Sequence, residues 1–211
     1  MNCHQCQKNC HSIKQKHSWW TRLTKKYRKE PLLAINGNIA LVGTPNVGKS
    51  VLFNRLTGNY VTVSNYPGTT VEVSRGIAKI KDYQIRVIDT PGMYSLVPIS
   101  EEEQVSRDLL LEESLDMVIH VVDAKNLGRM LPLTFQLMEA GLTVILAINM
   151  LDEAEQLGLK VEPEALKIEL GIPVVVMSAA LNRGVRELKQ TILQLLSFQP
   201  EPDSANVEMV K

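Results

Sequence analysis

Eight consecutive residues, GTPNVGKS at 43–50, set a lysine and a serine behind two glycines. In the spacing G-x-x-x-x-G-K-[ST], Gly43 and Gly48 let backbone amides close around phosphate oxygens. Lys49 then neutralises β- and γ-phosphate charge, and the Ser50 hydroxyl binds magnesium. Asn46, Val47 and Val51 complete the nucleotide-binding stretch. Further on, Asp89-Thr90-Pro91-Gly92 pairs a carboxylate able to hold magnesium through water with a glycine amide able to meet a γ-phosphate. Asn149-Met150-Leu151-Asp152 places Asp152 to accept two hydrogen bonds from the N1 and N2 donors of guanine, a pair that adenine lacks. Ser178-Ala179 can offer a backbone amide to the guanine carbonyl. Each of the later motifs is common alone; their order, each at the end of an apolar run, points to a guanine-nucleotide site.

Those apolar runs are the elements that must position the site. The strand candidates are 39–43, 71–80, 83–90, 116–123, 142–149 and 172–178, and the last three are nearly continuous apolar stretches, as strands covered on both faces are. Helical patterns fill the gaps at 49–57, about 100–113, 132–140, 162–170 and 184–197. Ser100 and Glu103 have the spacing of a capping box, and Pro132 and Pro163 are placed in first helical turns. Only Lys81 and Asp82 separate the second and third strands, so these two form an antiparallel hairpin. The expected fold class is α/β, a mixed six-stranded sheet with one antiparallel hairpin, flanked by helices.

Composition sets the wider limits. The chain has 211 residues, 45% of them hydrophobic, and a formal net charge of zero. The zero conceals an asymmetry, because residues 1–40 carry eight basic residues against the single acid Glu30 and the remainder is acidic. An acidic domain argues against nucleic acid as a partner. The longest apolar runs are strand-sized, well short of the roughly 18 residues of a membrane span, and the opening lacks the layout of a secretory signal, so a cytoplasmic protein is expected. The chain divides into a basic Cys/His-bearing arm at 1–36, a nucleotide-binding domain at 37–197 and a loose tail at 198–211.

In the arm, Cys3, Cys6, Cys10 and His11, with His4 as a spare ligand, have spacings that could hold zinc or iron. Behind them Trp20, Leu23 and Tyr27 share one face of a candidate helix with Arg22, Lys25, Lys26, Arg28 and Lys29 around it, a combination suited to an anionic membrane surface.

The stretches GTPNVGKSVLFNRLTG, NYPGTTVE, DTPGMYSL with SEEEQVSRDLLLEE, and VVDAKNLGRMLPLTFQLMEAGLTVILAINMLDEA closely resemble the N-terminal G domain of the bacterial ferrous iron transport protein B (FeoB) family, over about residues 37–197. The resemblance implies a Ras-like P-loop GTPase fold binding GTP or GDP. It carries the switch I threonine onto Thr70, with Thr69 as the confusable neighbour, and the magnesium shell onto Ser50, Thr70 and Asp89. Gly92 becomes the switch II glycine, and the guanine readers fall on Asn149, Asp152, Ser178 and Ala179. Asn46 matches the position that helps bind potassium near the phosphates in cation-activated relatives. Met93 stands where Ras-type enzymes use a water-orienting glutamine. Catalysis then falls to Asn46, Lys49, Thr70 and Gly92.

Members of the family continue into a helical domain and a permease, whereas about fifteen residues follow Leu196. The expectation is a regulatory GTPase of ferrous iron transport, acting on a membrane iron permease encoded separately or missing from this chain, and lying at the cytoplasmic face of the inner membrane. The alternatives are an Era-like ribosome-assembly GTPase and a metal-binding adaptor that binds nucleotide without hydrolysing it.

Overall fold

The structure is a computed structural model that describes residues 35–58 and 61–198. The metal-ligand candidates Cys3, Cys6, Cys10 and His11, the basic aromatic segment behind them and nearly all of the tail lie outside the described residues.

The apolar runs pair into one sheet. Its strands are β1 (Gly37–Val42), β2 (Val61–Asn65), β3 (Glu72–Ile80), β4 (Tyr83–Asp89), β5 (Met117–Asp123), β6 (Val144–Asn149) and β7 (Val174–Val176), in the order β2-β3-β4-β1-β5-β6-β7. From β4 to β7 the pairings are parallel, and β3 runs antiparallel to both neighbours. The expected hairpin is present, turning at Lys81 and Asp82. The sheet has seven strands, not six. The additional strand β2 is exposed along its whole length, so it lacks the buried alternation by which a strand is recognised.

Among the described residues six helices flank the sheet: α1 (Lys49–Thr57), α2 (Glu101–Glu112), α3 (Leu127–Glu139), α4 (Leu151–Gln156), α5 (Pro163–Leu170) and α6 (Val185–Phe198). One face of the sheet packs Leu52, Phe53 and Leu56 of α1 with Leu188 and Ile192 of α6. The other packs Val105 and Leu109 of α2 with Leu133 and Leu137 of α3. Pro163 begins α5 as expected. Pro132 does not begin α3 but lies inside it. The helix starts earlier because the Asp123 carboxylate accepts from Lys125 N at 2.9 Å, closing a 3₁₀ turn at Ala124–Asn126 that leads straight into α3.

In a parallel sheet all strands point the same way, so β1, β4, β5 and β6 deliver their C-terminal ends to one edge. Ligands bind at that edge in open α/β sheets, and the residues singled out above lie there.

Candidate functional site

The loop between β1 and α1 is shaped by two left-handed glycines. Gly43 has φ 148°, and a Cβ there would lie 2.2 Å from the Val121 carbonyl oxygen, so a side chain is excluded by backbone. Gly48 is the N-cap of α1 at φ 91°. The amides from Asn46 to Val51 find no acceptor among the described residues, leaving a concave row of donors at a helix N-terminus. Lys49 folds back over the loop, its Nζ donating to the Gly43 and Thr44 carbonyls at 2.9 Å each. Val51 is exposed in the first turn, whereas Val47 is buried.

A cleft of about 860 Å3 opens in front of this loop, lined by Asn46, Lys49, Ser50, Thr70, Asp89 and Gly92 among others. Six residues drawn from three separate stretches of sequence thus share one cavity. Asp89 arrives at the end of β4; its Oδ1 is buried without a hydrogen-bond partner among the described residues. Burial pushes its pKa up, against a hydrogen bond from Ser50 and the charge of Lys49. Burial likewise pulls the Lys49 pKa down, opposed by Asp89. A buried ammonium and a half-buried carboxylate therefore border the same cavity.

The switch I segment distinguishes its two threonines. Thr69 Oγ1 donates to the Tyr66 carbonyl at 3.1 Å and accepts from Val71 N at 3.2 Å, closing a turn. Thr70 is the one that is exposed and lines the cleft. After Gly92, whose amide has no acceptor among the described residues, Met93 is fully buried and directed into the core. Its side chain cannot reach a water in the cleft.

The four base-reading candidates lie outside that cleft, behind the phosphate loop. Asn149 is 3% exposed and acts as a brace: its Nδ2 donates to the Val47 carbonyl at 2.9 Å, and its Oδ1 accepts from Ala179 N at 2.9 Å. Ser178 Oγ accepts from Asp152 N at 3.0 Å, while the Asp152 carboxylate accepts no hydrogen bond from the described residues. One amide side chain therefore connects the phosphate loop to the loop after β7.

Several contributors were not legible in the sequence. Glu103 closes the expected capping box with Ser100 and also gathers the switch II backbone, its carboxylate accepting from Tyr94 N at 3.1 Å and Ile99 N at 2.8 Å. These amides, Ile99 first, hold its pKa below the usual carboxylate range. Gln136 on α3 accepts from Leu96 N at 2.8 Å. Arg55 on α1 donates to the carbonyls of Ala179 and Ala180. All three act on backbone groups, which carry no sequence signature; only the Glu103 spacing gave a partial signal.

A family model described as "Ferrous iron transport protein B" matches residues 37–192. The chain belongs to this family. The FeoB Fe(2+) transporter of Escherichia coli (strain K12) is 44% identical over 176 residues, which is 82% of this chain and 22% of that protein. A Porphyromonas gingivalis Fe(2+) transport protein A/FeoB fusion is 46% identical over 158 residues, 74% of this chain and 19% of the fusion. The chain thus spans about a fifth of the length of the curated FeoB relatives it matches. Among solved structures, the G domain of the T. maritima FeoB iron transporter superposes with a TM-score of 0.70 at 42% identity, covering 75% of this chain and 98% of that one. The cytosolic domain of the same FeoB in a GDP form gives a TM-score of 0.75 at 42% identity, covering 79% of this chain and 65% of that one. The M. jannaschii FeoB G-domain gives 0.67 at 40% identity over 76% of this chain and 97% of that one. The P-loop GTPase fold expected from the sequence is the fold of these FeoB domains.

Proposed function

We propose that this chain is a GTP-binding and GTP-hydrolysing switch serving ferrous iron transport. The observation that carries the reading is the shared cleft: unpaired loop amides, Lys49, the orphaned Asp89 Oδ1, the Thr70 hydroxyl and the Gly92 amide all border one cavity. The GDP form of the T. maritima relative supports a guanine nucleotide as its occupant.

The loop amides and Lys49 bind the β- and γ-phosphates, and Thr70 with Gly92 reports whether the γ-phosphate is there. A magnesium ion fits the donor set, because a buried carboxylate oxygen with no partner beside a hydroxyl is what a hard divalent cation satisfies. Ser50, Thr70 and Asp89 would hold it, and it would neutralise charge on the phosphates. Asn46, at φ 65° with its side chain on the cleft, offers an oxygen to potassium, whose charge would stabilise the transition state as an arginine finger does. Asp152, linked through its backbone N–H to Ser178, and Asn149, whose Nδ2 holds the Val47 carbonyl and keeps a second N–H, select guanine. When hydrolysis removes the γ-phosphate, Thr70 and Gly92 lose their contacts and both switches relax. The partner is a membrane iron permease, met on the cytoplasmic side.

Phosphate release in magnesium, with potassium against sodium, tests this. Wild type is expected to turn over at least about tenfold faster in potassium, Asn46→Ala to lose that advantage, and Lys49→Ala to lose turnover. Equal rates in the two salts would remove the potassium role. Wild-type binding without any phosphate release would make the chain a nucleotide-binding adaptor.

A further inference from the structure

We propose that Arg55 is a positioning residue for base recognition, which aims the Ala180 amide at the 6-oxo group of the purine. This rests on the guanine-nucleotide reading above. Arg55 lies in the last turn of α1, the helix whose first turn carries Lys49 and Ser50. Its Nε donates to the Ala179 carbonyl at 3.1 Å and its Nη2 to the Ala180 carbonyl at 2.6 Å, reaching across more than 120 residues of sequence. The Ala179 carbonyl also accepts from Asn182 N at 3.2 Å, so Arg55 provides the side-chain hold on Ala180.

The amide of Ala179 is already engaged by Asn149 Oδ1, which makes it a poor free donor. The next amide is different: Ala180 N–H has no acceptor among the described residues, and Ala180 is exposed whereas Ala179 is buried. In a planar trans peptide the C=O and the following N–H point in opposite directions. With the Ala179 carbonyl turned toward α1 by Arg55, the Ala180 N–H is turned away from α1. Ser178 Oγ links the same loop to the start of α4 through Asp152 N, so the donor for the 6-oxo group and the acceptor for N1 and N2 are held in one frame. Arg55 thereby joins the base-reading loop to the phosphate-binding helix.

The test uses the full chain, with GDP and 6-thioguanosine diphosphate as ligands; the second keeps both Asp152 donors but replaces the 6-oxo oxygen by a weak acceptor. Wild type is expected to prefer GDP. In Arg55→Gln, GDP release is expected to accelerate about tenfold, the loss of the one hydrogen bond from Ala180 N–H to the 6-oxo group, and the preference for GDP to shrink by about the same factor. Release of the thio ligand and the thermal midpoint of the free protein stay near wild type. Arg55→Lys, which retains a donor for one carbonyl, falls between the two. An equal loss of affinity for both ligands would make Arg55 a structural staple and overturn the proposal, as would unchanged GDP release. A wild-type protein that binds neither ligand would overturn the nucleotide reading and this inference with it.

Discussion

Gly48 shows how closely the proposed phosphate and base sites are built together. Its φ of 91° lies in the left-handed region, and a Cβ there would sit 2.4 Å from Asn149 Nδ2. That nitrogen is the donor to the Val47 carbonyl, so a single methyl at position 48 would strain the loop and also push the brace off its acceptor. Strain at a left-handed residue costs roughly 1–3 kcal/mol, and the displaced Asn149 adds a buried unpaired amide. Gly48→Ala is therefore expected to weaken GDP binding by at least about a hundredfold and to lower the thermal midpoint of the free protein by several degrees. Isothermal titration and a melting curve measure the two effects. Near-normal affinity would mean that Asn149 can move without consequence. Gly43 and Gly48 are legible in the sequence because the phosphate cage proposed here requires them, whereas the approach of Gly48 to Asn149 spans about a hundred residues and is invisible there.

At the scale of elements, the segment between β4 and α2 is irregular yet well tied. Glu103 holds the amides of Tyr94 and Ile99, Gln136 holds that of Leu96, and Ser106 Oγ donates to the Pro91 carbonyl at 2.9 Å. Gly92 therefore enters the cleft from a loop tied to α2 and α3 at Pro91, Tyr94, Leu96 and Ile99. Glu103→Gln keeps the shape but removes the charge, which weakens both amide contacts. The expected outcome is faster hydrogen exchange at Tyr94 and Ile99, with turnover reduced by roughly tenfold and GDP affinity nearly unchanged, because the β-phosphate contacts do not involve this loop. Unaltered exchange would show that Gln136 and Ser106 suffice. Sequence pattern located α1, α2, α5 and α6 to within a residue or two, since each combines an apolar stripe with a recognisable start. It missed β2, which has no buried face, and α4, whose six residues are too few for a periodicity to show. It misplaced the start of α3 because proline at the first turn is a preference, and the turn closed by Asp123 overrode it.

For the whole molecule, the sheet carries a titratable group in its middle that the nucleotide chemistry does not use. His120 lies on β5, paired with Val42 on one side and Leu146 on the other, and is fully buried. Its Nδ1 is 2.9 Å from Thr134 Oγ1 of α3, and its Nε2 has no partner among the described residues. Burial first, and the charge of Lys49 second, lower its pKa to about 3 from an ordinary 6.5. In the unfolded chain the ring takes up a proton as pH falls through 6.5, while in the folded protein it stays neutral until about pH 3. The unfolded state therefore binds more protons across that window, and stability falls with falling pH by up to about 1.4 kcal/mol per unit from this group alone. Asp89 acts with the opposite sign, because its raised pKa lets the folded state take up a proton first as pH falls. Subtraction separates the two. In His120→Gln the neutral amide removes the histidine term and leaves Asp89 in place. Urea unfolding followed by circular dichroism at pH 7, 6 and 5 should show wild type losing stability faster than the variant, the gap shifting by about 1 kcal/mol per unit below pH 6. A constant gap would mean that the folded protein admits a proton to His120, and hence that the sheet between the phosphate loop and α3 opens to water on the acid side of neutrality.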